Sequence, residues 1–221
     1  DRLIYSIDPA SKRSYLGTGT TVLPLIPEQN NNNGTINGST TYTTGAQGGF
    51  NFNGPTTFDN ITITETETHK TGQNFSYEGW FYFDALSGFD KTIVGKVGCN
   101  IGLVQAGSTM RMQVFGPGTP CASGNFSGIA STSITLSSWQ HWVGTYEVGV
   151  GVKLYRDGTL LATTAYTGNI GNYPTTLFVG GSINTSYTMD GRIAVARVYK
   201  KTLSSSEALQ NFNAQKSRFG L

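Results

Sequence analysis

Residues 75–83 read Phe-Ser-Tyr-Glu-Gly-Trp-Phe-Tyr-Phe, and few local structures suit such a segment. Along a strand, side chains alternate between faces. That puts Phe75, Tyr77, Phe81 and Phe83 on one side and Ser76, Glu78, Trp80 and Tyr82 on the other. The second side is itself partly aromatic, so the segment predicts a strand in the middle of a sheet, covered on both faces. From about residue 41 onward, similar strand-length segments recur between Gly, Asn and Pro residues, the signature of a sandwich or barrel. They include Thr92-Ile93-Val94, a hairpin around Gly107-Ser108, and Trp139 through Tyr146. Val152–Arg156 and Thr159–Thr163 flank Asp157-Gly158, a dipeptide suited to the two positive φ angles of a type I′ turn. Thr176–Gly180 and Arg192–Tyr199 follow, the last of these apolar on both faces.

Composition points the same way. Charged residues are only 13% of the chain while Gly numbers 29, so the polar surface is built of hydroxyls and amides. Exposed helical faces would need more Glu and Lys than this. One helix is nonetheless predicted near the end. Ser204 with Glu207 three residues on forms a capping box, Ala208, Leu209 and Phe212 follow at helical spacing, and Gly220 is a stop. All-β sandwiches often reach 221 residues without dividing, so one core is expected. Within it, residues 1–40 read as an N-terminal strand and loop extension, 41–202 as the sandwich and 203–221 as the helical end.

The net charge is +2, and apart from Lys200-Lys201 and Lys216/Arg218 the basic residues are scattered, which argues against nucleic-acid binding. No apolar run approaches the ~18 residues of a membrane span, and Asp1-Arg2-Leu3-Ile4-Tyr5 lacks the layout of a signal peptide. Cys99 and Cys121 admit one pairing. Composition fits both a disulfide between them and two buried thiols.

Several segments together resemble the laminin G-like branch of the concanavalin A-like lectin and glucanase superfamily. They are Gly49 to Gly54, Asn74 to Trp80, Trp139-Gln140-His141-Trp142, Lys153 to Gly158, and Asp190-Gly191-Arg192-Ile193, in that order. The flanks, Leu3 to Asp8 with Ser14 to Thr21 and Leu203 to Gly220, are similar to versions of this domain in virion proteins of tailed phages. The resemblance implies a two-sheet antiparallel jelly-roll sandwich, all-β but for one short C-terminal α-helix, often with a sugar site or calcium at the loop end. Two departures stand out. Ala194 and Val195 occupy positions where an acidic residue often follows the Gly-Arg-Ile step, which weakens the case for calcium, and no other cofactor is expected. Val22 and Pro24 stand where the phage-type opening usually has Trp and Asp.

Catalytic glucanases of this superfamily place two Glu around an Asp on one strand, because retaining hydrolysis needs an acid and a nucleophile on one face. Glu65 and Glu67 are the nearest match here, without the intervening Asp. A solvent-facing strand of alternating Thr and Glu explains them better. His141 and His69 have no acid cluster beside them, so neither a zinc site nor a Ser-His-Asp relay is supported; His141 reads as a hydrogen-bonded, partly buried imidazole. Trp80, Trp139 and Trp142 lie in strands and read as core. Two loops combine a flat ring with amides, as a sugar site requires: Asn169, Asn172 and Tyr173 in one, Asn184 and Tyr187 in the other. Ordinary exposed turns have the same composition. The six Asn-x-Ser/Thr sequons carry no weight in a chain this rich in Asn, Ser and Thr.

The sequence therefore predicts a non-catalytic, extracellular domain on a virion surface, a decoration or fibre component. Its expected partners are host-surface or environmental glycans and neighbouring virion subunits, with a homo-oligomer compatible and no membrane insertion. A ligand-free structural module is the alternative reading, and a glycan-degrading enzyme a lesser one.

Overall fold

The computed structural model describes residues 2–26, 32–44, 47–55, 57–64, 72–96, 101–116, 128–171, 176–182 and 184–221. The strands in chain order begin with β1 (Leu3–Ile7), β2 (Thr21–Val22), β3 (Gly34–Asn37), β4 (Thr41–Thr43), β5 (Gly49–Asn53) and β6 (Asn60–Thr64). Next come β7 (Phe75–Ala85), β8 (Lys91–Lys96), β9 (Ile101–Ala106), β10 (Thr109–Val114) and β11 (Gly128–Ser133). The series ends with β12 (Trp139–Glu147), β13 (Gly151–Arg156), β14 (Thr159–Ala165), β15 (Thr176–Val179), β16 (Asp190–Tyr199) and the helix α1 (Ser205–Gln215).

These strands form two antiparallel sheets. The helix-bearing sheet runs β14-β13-β12-β7-β16-β5-β4, with β1 also paired to β16; the opposite sheet runs β11-β10-β9-β8-β15-β6-β3-β2. This is the all-β jelly-roll sandwich with one C-terminal helix that the sequence predicts. The strand at 75–83 is β7, and it lies between β12 and β16. Its inward residues Phe75, Tyr77, Phe81 and Phe83 join Phe50, Phe52, Trp142, Tyr146 and Ile193 across from Ile61, Ile63, Ile93, Leu103, Met112 and Leu177. Burying each such side chain contributes roughly 1.5–3 kcal/mol.

The outer face of the helix-bearing sheet is also covered, over most of its width. Val143, Tyr155 and Tyr199 lie under Leu203 and Ala208. Trp80, Ala194 and Val195 lie under Phe219, with Phe212 and Trp139 packed alongside. The Phe219 ring stacks on Trp80 with centroids 4.0 Å apart. This cover explains why β16 is apolar on both faces.

Local rules hold the cover in place. Glu207 N donates to Ser204 Oγ at 3.3 Å and Ser204 N to Glu207 Oε2 at 2.9 Å, completing the capping box. A 3₁₀ turn, Lys216–Phe219, follows α1 and closes on Gly220 at φ 79°. Arg218 grips Asp8 through two hydrogen bonds of 2.6 and 3.0 Å, tying the end of the chain to its beginning. Asp157 and Gly158 take φ 51° and 77°, as the turn between β13 and β14 demands.

Candidate functional site

At one end of the sandwich the loops enclose a cavity of about 230 Å³. Its walls come from segments far apart in the chain: Pro55 after β5, Ala85, Leu86 and Ser87 at the end of β7, Lys91 and Gln105 from β8 and β9, and Thr188 and Asp190 before and at the start of β16. The rim is stiffened from below. Asp59 is fully buried, and it accepts from Ser39 N at 2.6 Å and from Asn53 N at 3.1 Å. Burial opposes ionisation of Asp59, yet the hydrogen bonds from Asn53 and Ser39 win and hold its carboxyl below the usual range. Gly54 N donates to Met189 O at 3.0 Å and Thr188 Oγ1 to Thr57 O at 2.9 Å, so two loops of the rim are laced together.

The cavity's polar groups are incompletely used by the protein. Lys91 is 1% exposed, and its ammonium donates to Ser186 O. Among the described residues no carboxylate lies within ion-pair distance of it. Burial pushes its pKa down. Asp190 faces the same space and likewise forms no ion pair among the described residues; burial and the neighbouring Asp84 charge push its carboxyl up. Ser87 Oγ is buried without a hydrogen-bond partner among the described residues. A cation, an anion and a hydroxyl thus share one cavity with Pro55, Ala85 and Leu86. A ligand hydroxyl can donate to the carboxylate while accepting from the ammonium, a match for a polyol with one apolar face.

Of the residues singled out from sequence, Asn184 and Tyr187 belong to this end. Asn184 Oδ1 accepts from Ser186 N at 3.0 Å and caps the turn Thr185–Tyr187, whose Ser186 carbonyl Lys91 holds. Asn169 is exposed and lies before β15, whereas Asn184 and Tyr187 lie after it, so the two loops occupy opposite ends of that strand. Asn172 and Tyr173 lie outside the described residues, as do Cys99, Cys121, Glu65, Glu67 and His69. Lys91, Ser87 and Gln105 escape a reading by motif, because each is an ordinary polar residue at a strand end. Asp190 had a signal, the Asp-Gly step that opens the last strand.

The outer face carries a second concentration of charge, under α1. Glu78 is fully buried on β7 and accepts from His141 Nε2 at 3.0 Å, Arg197 Nη1 at 2.6 Å, Tyr199 Oη at 2.6 Å and Asn211 Nδ2 at 2.7 Å. Burial alone would raise its pKa; the hydrogen bond from His141 and the charge of Arg197 outweigh that and bring it to about 2. His141 is therefore hydrogen-bonded, and it is wholly buried, more so than its sequence context implies. Trp80 and Trp142 are core, while Trp139 is only partly buried, at the margin of the cluster around Phe219. Among the described residues no three His, Cys, Asp or Glu side chains converge. Calcium takes six to eight oxygen ligands. The rim offers Asp190 beside Asp84, itself paired with Arg192 at 3.1 Å, and a buried lysine lines the same cavity. That set does not fit the ion.

Residues 55–208 match the family model of the concanavalin A-like lectin/glucanases superfamily, and the chain belongs to this family. No curated protein sequence matches the chain significantly. Solved structures with the same fold include the binding domain of botulinum neurotoxin DC in complex with SialylT, with TM-score 0.70 and 15% identity over 97% of this chain and 52% of that one. Domain 4 of AbnA, an extracellular arabinanase from Geobacillus stearothermophilus, in complex with arabinotriose, is similar with TM-score 0.63 and 16% identity over 95% of this chain and 97% of that one. The Trypanosoma rangeli sialidase in complex with sialic acid is similar with TM-score 0.69 and 17% identity over 98% of this chain and 33% of that one. The chain thus spans about half the length of the toxin domain and a third of the sialidase.

Proposed function

We propose that this protein is a non-catalytic glycan-binding domain, displayed outside the cell on a virion surface as a decoration or fibre component. The observation that carries the glycan reading is the rim cavity, where Lys91, Asp190 and Ser87 keep hydrogen-bonding capacity that the protein does not use. Arabinotriose and sialic acid in complexes of two similar folds support the ligand class. The phage-like flanks support the virion setting, with neighbouring virion subunits as further partners. No cofactor is required by this scheme.

Titration calorimetry against a panel of oligosaccharides, arabinotriose and sialyllactose among them, tests the reading. Lys91→Met removes the charge and keeps the shape, and Asp190→Asn removes the other; each is expected to weaken a bound sugar about tenfold or more, given that hydrogen bonds to charged groups are worth ~1.5–3 kcal/mol. Wild-type affinity in both variants would place the site elsewhere. Release of reducing ends by the wild type that vanishes in Asp190→Asn would overturn the non-catalytic part.

The structural-module reading has its own observation. Edge strand β14 carries no charged side chain, and Leu160, Leu161 and Leu209 beside it are exposed by 44%, 39% and 47%. An edge strand without charged side chains favours contacts between subunits. Sedimentation of wild type against Leu161→Asp would reveal a self-association that depends on this edge, and identical monomers would remove it.

A further inference from the structure

A strip of the outer face of the helix-bearing sheet is left bare where the chain's C-terminal cover stops. Trp139 on β12 pairs with Tyr82 on β7, Tyr82 with Arg192 on β16, Arg192 with Asn51 on β5, and Asn51 with Thr41 on β4. All five are on the outward-facing side of their strands, since their neighbours Phe81, Ile193, Phe50 and Tyr42 pack against the core between the sheets. They therefore make one straight row across five strands. Four strand spacings of about 4.8 Å give it a length of roughly 19 Å.

The row's chemistry is graded along its length. At one end the rings of Tyr82 and Trp139 meet edge-on at 5.6 Å, both partly buried, and Phe219 braces Trp139 from the covered side at 5.0 Å. In the middle the Arg192 guanidinium lies 3.8 Å from the Tyr82 ring centroid and gives a hydrogen bond to Asp84, which fixes its plane and neutralises its charge. At the other end stand an amide and a hydroxyl. Two residues along β16 from Arg192, Asp190 opens onto the rim cavity, so row and cavity adjoin.

We infer that this row is a second contact surface for carbohydrate, taking an extended and uncharged polysaccharide chain laid across the strands beside the rim cavity. The Trp139 ring suits the C–H faces of sugars, and the Arg192 guanidinium, the Asn51 amide and the Thr41 hydroxyl suit their hydroxyls. A nucleic acid would need unpaired cations, whereas the charge of Arg192 is balanced by Asp84. A peptide strand adds along a sheet edge, parallel to the strands, whereas the row runs across five strands and only its Thr41 end reaches the edge strand β4. The inference rests on the glycan reading for its ligand class but not on the cavity residues.

Affinity electrophoresis in gels containing linear arabinan, xylan, dextran, mannan or polygalacturonate tests it, followed by calorimetry with oligosaccharides of rising length from the polymer that retards the protein. The expected result is affinity that climbs with chain length and falls about tenfold on the long chains, an anchor-residue effect, in Trp139→Ala and Arg192→Ala, with the shortest sugar unaffected. Should Trp139→Ala fail to fold, Arg192→Ala and Asn51→Ala carry the test, because both side chains are partly exposed. Length-independent affinity that ignores the row variants but collapses in Lys91→Met overturns the row and leaves the cavity. Binding lost in the row variants yet intact in Lys91→Met and Asp190→Asn does the reverse. Preference for polygalacturonate overturns the uncharged class, and no retardation by any polymer overturns the row.

Discussion

Glu78 shows how one residue can be expensive to bury and still hold a structure together. A lone carboxylate in this position would take up a proton; this one has four donors and stays ionised down to about pH 2. In the unfolded chain its pKa returns to about 4.5. The folded state therefore refuses a proton that the unfolded state accepts, and the stability contributed by Glu78 is complete above pH 4.5 and lost as pH falls toward 2. The difference is on the order of 3 kcal/mol. Urea titrations should show wild-type stability falling across that window, and Glu78→Gln should be flatter there. At neutral pH the variant is expected to be less stable by roughly 3 kcal/mol, since the mostly buried Arg197 is left beside an uncharged partner. A variant curve as steep as wild type would show that another carboxyl is the one held down.

At the scale of elements, the β13–β14 hairpin and α1 depend on each other. Gly158 takes φ 77°, and a Cβ there would stand 2.7 Å from Leu209 Cδ1 and 3.1 Å from Leu209 Cα. Gly158→Ala thus strains the turn and drives it into the helix at once. A loss of roughly 1–3 kcal/mol is expected by calorimetry. Ser204→Ala, which removes only the N-cap, should cost about 0.5–2 kcal/mol. If Gly158→Ala melts like wild type, the helix does not press on the turn. The turn, the capping box and the alternation of β7 were all legible in sequence because each depends on residues within a few positions of one another.

For the whole molecule, the C-terminal segment acts as a third layer. Without it, Trp80, Tyr155, Ala194 and Val195 would face water, and Glu78 would lose Asn211. Ending the chain at Leu203 is expected to red-shift the tryptophan emission and to create a surface that binds anilinonaphthalene sulfonate. A truncated chain that keeps the wild-type emission and stays dye-free would reduce the helix to an accessory. Trp139 makes the same point from the other side. It sits in the same kind of strand as Trp80, yet it is only partly buried because the cover ends at Phe219.

The rim cavity was only partly visible beforehand. The Asn184–Tyr187 turn and the Asp190-Gly191 step stood out, but Lys91, Ser87 and Gln105 did not. Their meaning comes from segments as far apart in the chain as Pro55 and Asp190 closing on one another. The row from Trp139 to Thr41 has the same origin, since its order is set by strand pairing and not by position in the chain. Sequence alone determined the alternation, the turns and the cap, because backbone geometry and local hydrogen bonds act over a few residues; the two-sheet arrangement followed from the family resemblance of several segments taken together. Tertiary structure decided which buried charges find partners, which aromatics stay exposed and where a cavity is left, because those depend on the register and cover that distant segments impose.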